Sequence, residues 1–129
     1  MAAATLFLIP AAALSASPRE TITPAFNEAI PNVPGKSLVA VVVSYPPGGK
    51  TPSHRHGSAF VTAYVLSGAI RSQVEGEPAH IYHAGESWSE QPGAHHLVSE
   101  NASATEPAKL LAILVADTGD TALTVFDAR

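Results

Sequence analysis

The chain of 129 residues contains no cysteine, which excludes disulfide bonds and thiolate metal ligands. It also has few charges: Lys and Arg together number 7, charged residues make up 14%, and the net charge is −4. Because no basic patch is available to release counterions from phosphates, nucleic acid is not expected as a partner. Apolar residues, in contrast, make up 46% of the chain. This composition predicts one domain with a single hydrophobic core.

Residues 1–17 form an apolar segment whose role the sequence leaves open. Residues 2–16, AAATLFLIPAAALSA, resemble the apolar region and cleavage zone of a signal peptide. No Lys or Arg precedes Arg19, however, and Pro10 interrupts a run that is too short to span a bilayer. The alternative is an arm that packs on the domain or on a neighbouring subunit. We therefore predict a domain at residues 18–129 with no membrane partner, either intracellular with its arm retained or secreted after cleavage.

Short apolar and β-branched segments separated by Gly and Pro turns follow one another at intervals of roughly ten residues. Residues 17–34 contain four prolines and are predicted to be an extended lead-in. No helix is predicted after the N-terminal segment, and the pattern indicates an all-β sandwich or barrel. The predicted strands are 37–45, 59–66, 69–75, 80–83, 86–90, 95–99 and 109–116.

All six histidines lie between positions 54 and 96, a clustering that indicates a site. His54 and His56 are separated by one residue, so in a β-strand both side chains point to the same face. Two imidazoles on one face can hold one metal ion, and imidazole suits Zn, Cu, Fe and Ni. The pair therefore predicts a metal site without identifying the metal.

Two groups of residues follow the spacing of the two sequence motifs of the cupin family, which the chain resembles over residues 37–117. They are Gly48, His54, His56 and Gly68, then Gly85, Gly93 and His96. The resemblance implies an all-β jelly-roll barrel closed as a double sheet, with little helix. It also implies one divalent ion (Fe, Zn, Ni or Mn) held by His54, His56 and His96. A shift of one residue in register would replace His96 by His95, and His80 and His83 are expected to be exposed.

The chain departs from the family at the glutamate of the first motif, where Val61 stands, or Phe60 with the shorter spacing. An ion held by three neutral imidazoles would keep more positive charge and more open coordination positions than one that also binds a glutamate. Such a site resembles those of the three-histidine iron dioxygenases. Glu90 could reach the metal or serve as a general base, although a solvated strand carboxylate is the simpler interpretation. Three further residues could line the pocket or could simply fill core and surface positions: Tyr64, Gln73 and Trp88.

The resemblance, together with the open acid position, suggests a metal-dependent dioxygenase acting on a small chelating organic substrate. One alternative is redox-neutral isomerisation, cyclisation or decarboxylation, in which Glu90 or a spare histidine moves a proton. Another is a small-molecule binding protein without catalysis, because one fold hosts many functions. The resemblance also implies a homodimer.

Overall fold

The computed structural model of the protein describes residues 17–128, and within this range all regular secondary structure is β. The prediction of an all-β fold is confirmed. The strands are β1 Thr21–Ala29, β2 Lys36–Tyr45, β3 Lys50–Thr51, β4 His54–Arg55, β5 Phe60–Ser67, β6 Ala69–Val74, β7 His80–His83, β8 Ser87–Glu90, β9 His95–Asn101, β10 Ala108–Asp117 and β11 Val125–Phe126.

The strands form two antiparallel sheets that pack as a sandwich. One sheet has the order β1-β2-β10-β5-β8, and the other has the order β11-β4-β9-β6-β7, with β3 also paired to β9. Neighbouring strands are mostly distant in the chain, as in a jelly roll, and this matches the double-sheet barrel expected from the motifs.

The core lies between the sheets and is supplied by alternate residues of each strand. In β10, Leu110, Ala112 and Leu114 point inward and are buried, whereas Leu111 and Ile113 are half-buried on the outer face. Ala112 pairs with Ala63 of β5. Because two alanines stand side by side where larger residues would fill the interior, this part of the barrel wall recedes and leaves room for a cavity.

The proline-rich lead-in contributes a strand that the sequence did not predict as paired. β1 forms the edge of its sheet and pairs with β2, with a register shift between Pro24 and Phe26. Proline lacks an N–H and is tolerated at an edge strand or a bulge. Pro24 lies beside such a bulge on the edge strand, so it removes no hydrogen bond from the interior of the sheet.

The predicted N-terminal arm or signal peptide lies, except for Ser17, outside the described residues, and the domain boundary at residue 18 stays a prediction. In the described part of the chain, no helix is long and apolar enough to cross a membrane.

Candidate metal centre

Strand pairing brings the three predicted histidine ligands together. His54 in β4 is the direct partner of His96 in β9, so both side chains leave the same face of the six-stranded sheet. His56 follows two residues after His54 and turns its ring to within 4.7 Å of the His54 ring, centroid to centroid. His54 and His96 are buried and His56 is half-buried. All three imidazoles therefore enter the interior between the sheets.

The hydrogen bonds of His54 and His56 fix which ring nitrogens carry protons. His54 Nδ1 lies 2.7 Å from the Pro52 carbonyl oxygen, and His56 Nδ1 lies 2.7 Å from the Leu123 carbonyl oxygen. A carbonyl can only accept, so both Nδ1 atoms donate, and in neutral rings both Nε2 atoms carry lone pairs. These two Nε2 atoms face each other at 3.0 Å. Two lone pairs at this distance repel unless a cation lies between them.

Burial determines whether a proton or a metal ion fits between the two Nε2 atoms. Desolvation lowers the pKa of His56 to about 4 and also lowers the pKa of His54, so a shared proton is disfavoured at neutral pH. A divalent metal, which binds the unprotonated ring, has no such limit. The paired lone pairs therefore fit a metal ion.

His96 completes the set of nitrogen donors. Its Nε2 lies 2.8 Å from the buried Ser72 hydroxyl, and its Nδ1 lies 3.3 Å from Glu90 Oε2. When Nε2–H donates to Ser72, Nδ1 carries the lone pair on the side of the ring that faces Glu90. Burial lowers the pKa of His96 to about 3, which keeps this ring neutral too.

Glu90 enters the site from the opposite sheet. It ends β8, where its direct partner on β5 is Val61, the position at which the motif glutamate is missing. Only 3% of Glu90 is exposed, so the expectation of a solvated carboxylate is wrong. Trp88 Nε1 donates to Oε2 at 3.2 Å, while the buried Oε1 has no hydrogen-bond partner among the described residues. Burial raises the pKa of Glu90 to about 7.

One donor atom from each of the four residues lies within 4.8 Å of all the others. Three neutral nitrogens and a carboxylate oxygen suit Zn and other divalent transition metals. The acid-free site expected from Val61 is therefore corrected. Adjacent strands present paired residues on the same face, so Glu90 supplies the carboxylate from one strand away.

Comparisons with known proteins agree with the motifs. The cupin domain model matches residues 41–114, more than half of the chain. The protein belongs to the cupin family. No curated protein sequence matched this cupin.

Three solved structures illustrate the likeness of fold. The Cnp3 cupin domain of Schizosaccharomyces pombe has a TM-score of 0.64 at 19% identity, over 77% of this chain and 62% of that one. A conserved double-stranded β-helix protein from Klebsiella pneumoniae has a TM-score of 0.67 at 17% identity, over 90% of both chains. The DMSP lyase DddQ from Ruegeria pomeroyi has a TM-score of 0.59 at 25% identity, over 69% of this chain and 42% of that one. This cupin thus spans less than two thirds of the Cnp3 and DddQ chains that it matches.

The structure separates the other three histidines of this cupin from the donor group. His95 points to the opposite face of β9, where Nε2 contacts the Ser53 hydroxyl and Asp127 Oδ2, each at 2.8 Å. It is thus not one of the four grouped residues. His80 and His83 are exposed on β7, as expected.

The three residues that could have lined the pocket have different positions. Trp88 lines the cavity beside His96, with ring centroids 5.9 Å apart. Tyr64 is 44% exposed, and Gln73 donates to the Glu77 carbonyl at the surface. Only Trp88 therefore belongs to the site of this cupin.

The C-terminal segment lines one side of the site, a feature that the sequence did not reveal. β11 pairs with β4, so that Phe126 lies opposite His54 with ring centroids 6.0 Å apart. Leu123 lines the cavity and offers its carbonyl to His56. We call residues 121–127 the C-terminal strap. Its two strand residues were too short a signal to distinguish from loop.

Proposed function

We propose that this cupin is an enzyme that holds one divalent metal through His54, His56 and His96, with the carboxylate of Glu90 beside the ion. The observation that carries the proposal is the pair of unprotonated Nε2 atoms facing each other at 3.0 Å in a buried pocket. The substrate is a small organic molecule that chelates the ion. A bound metal would act there as a Lewis acid that polarises a carbonyl or stabilises an enolate.

Glu90 favours redox-neutral chemistry over the dioxygenase reaction. Trp88 holds Oε2, which leaves Oε1 free to accept a proton from a substrate carbon or hydroxyl. Burial raises the pKa of Glu90 to about 7 in the metal-free protein, and a cation beside the carboxylate would lower it, so that the group is ionised and able to accept a proton near neutral pH. The argument for a dioxygenase was an acid-free ion, and the buried carboxylate removes it. The likeness to DddQ, a lyase by name, adds support at the level of reaction type.

The chain's other residues orient the imidazole rings and line the pocket. Ser72 and the Pro52 and Leu123 carbonyls fix the imidazole rings through their second nitrogens, an arrangement that tunes metal sites. Leu123, Thr124 and Phe126 of the C-terminal strap line the pocket beside His54 and His56. The homodimer implied by the resemblance stays a proposal, and the half-buried apolar outer face of β10 would be its surface.

The test begins with metal content. Full-length protein purified without a histidine tag should contain about one ion per chain after incubation with Zn, Fe, Ni or Mn, measured by mass spectrometry of the elements. The His54→Ala variant should lose the ion. His95→Ala, the matched control from the neighbouring face, should keep it. Wild-type protein that retains none of these metals would contradict the site.

The reaction type is tested on metal-loaded protein with small diketones, 2-hydroxy acids and 2-oxo acids, with and without oxygen. Redox-neutral chemistry predicts equal turnover in both conditions. Substrate loss that requires oxygen and consumes it would instead indicate the dioxygenase. A chelating compound that binds tightly but is never converted would favour the binding protein.

A further inference from the structure

The two rows of paired residues that end at the site continue across the five-stranded sheet as an aliphatic wall. The row that contains Glu90 runs through Val61, Leu114 and Val39. The row that contains Trp88 runs through Ala63, Ala112 and Val41. Each of these residues lines the same cavity as the four donors. A molecule bound to the ion therefore extends over methyl groups.

The polar side chains farther along the cavity are already engaged with one another. The Tyr45 hydroxyl lies 2.7 Å from the Thr51 hydroxyl and 2.7 Å from the Ser99 hydroxyl. No Lys or Arg is among the described residues that line the cavity. The nearby Lys50 is paired outside it with Glu100 at 3.0 Å. A negative group on the far end of a ligand would thus be buried without a partner, which is strongly unfavourable.

The cavity is also small. Its volume is about 120 Å³. A dry cavity of about 150 Å³ is known to hold benzene, which has six non-hydrogen atoms. By the same ratio this cavity holds about five non-hydrogen atoms, so an aliphatic remainder of about four atoms fits beside the atoms that would contact the ion.

We propose that the substrate has a single chelating end and a short aliphatic remainder without a negative charge, and that molecules with a second anionic end are excluded. This inference rests on the proposed metal site and defines the substrate class within it. Charge balance points the same way. A divalent ion beside one carboxylate keeps one net positive charge, which a chelating group with a single negative charge neutralises.

Hydroxamic acids test the proposal, because the chelating group stays constant while the remainder changes. Full-length protein is loaded with Co²⁺, and binding is followed by the visible absorption of the ion. Isovalerohydroxamic acid and malonic acid monohydroxamate have the same shape and eight non-hydrogen atoms each, but only the second carries a carboxylate. We expect the neutral compound to bind at least about 30-fold more tightly. Octanohydroxamic acid should not bind measurably. The affinities of both compounds for free Co²⁺ provide the reference.

A pair of variants on β2 tests the wall itself. Val43 lines the cavity, whereas Val42, its neighbour in the chain, faces outward. Val43→Ala should admit hexanohydroxamic acid with at least about tenfold higher affinity than wild type, and Val42→Ala should not. If Val43→Ala fails to fold, the selectivity of the wild-type protein decides alone.

The outcomes separate the two proposals. If no Co²⁺ binds, the metal site is wrong, and this inference falls with it. If Co²⁺ and hydroxamates bind but the charged and neutral compounds bind equally, or octanohydroxamic acid binds as well as the short one, the metal site stands and the substrate class is wrong.

Discussion

Moving the carboxylate from Glu90 to position 61 tests whether the site is defined by the shared sheet face. Val61 and Glu90 are direct partners on β5 and β8, and both are buried. Directly paired Cβ atoms lie about 5 Å apart, so a glutamate side chain can reach the same donors from either strand. Position 61 is also where the family places its acid. We expect the double variant V61E/E90V to bind metal within about tenfold of wild type.

The single variants give the contrast. In Glu90→Gln the Trp88 indole can still donate to the side-chain oxygen, but the negative charge is lost. Metal affinity should fall by at least about 100-fold, the upper range for outer groups that act on a metal indirectly. Val61→Glu keeps Glu90 and adds a second buried carboxylate. At about 5 Å and an effective dielectric constant of 20, two such charges repel by about 3 kcal/mol. The metal-free variant should therefore be less stable than wild type, and metal should restore much of the difference.

Competition with a chromophoric chelator measures the affinities, and thermal unfolding with and without metal measures the stabilities. Turnover adds a second distinction, because the double variant lacks the carboxylate that Trp88 holds by one oxygen and whose other oxygen acts as the base. It should hold the ion but convert substrate poorly. The reasoning is refuted if Glu90→Gln binds metal as tightly as wild type, or if the folded double variant binds no better than Glu90→Gln.

Two further predictions concern pH and the strap. Burial raises the pKa of metal-free Glu90 to about 7, so below that pH the ion must displace a proton from this carboxylate. Metal affinity measured by calorimetry should therefore fall about tenfold per pH unit between pH 7 and pH 5 and level off above pH 7, and in Glu90→Gln this component should vanish. Deleting residues 121–129 removes the Leu123 carbonyl that orients His56. Affinity should fall by about 10–100-fold, and unchanged affinity by chelator competition would mean that the ring is oriented without the strap.

Much of the fold could be predicted from the sequence because local signals and global topology agree. The strands that carry unbroken apolar runs, such as β2 and β10, lie inside their sheet, where the inner face is buried and the outer face is half-buried. Glycines that adopt positive φ angles, such as Gly68 and Gly93, end segments where the motif spacing required a turn. The pairing of β1 was not predictable, because proline lacks the N–H that strand pairing uses and the side chains of β1 are exposed, so they give no alternating apolar pattern.

The three histidines could be predicted as a group because their positions follow from spacing. His54 and His56 share a face by alternation, and His96 follows a Pro-Gly turn that leads it to the direct partner position of His54. Their hydrogen-bond partners could not be predicted. The Leu123 carbonyl lies 67 residues after His56, and only the return of the chain as β11 brings it there.

Glu90 shows why an absent motif residue does not establish an absent chemical group. A sequence motif records the distance along one strand, whereas a metal responds to distances in space. Glu90 is 29 residues after Val61, yet the pairing of β8 with β5 makes the two residues neighbours on one face. The His54 and His96 pair faces them from the other sheet, so an ion would link both halves of the sandwich. A carboxylate on either strand meets the same requirement, which is one negative charge opposite three neutral imidazoles. Placing the glutamate on β8 instead of β5 makes one chemical difference. A glutamate on β8 stands two residues from Trp88, whose indole holds one oxygen and leaves the other free for a proton.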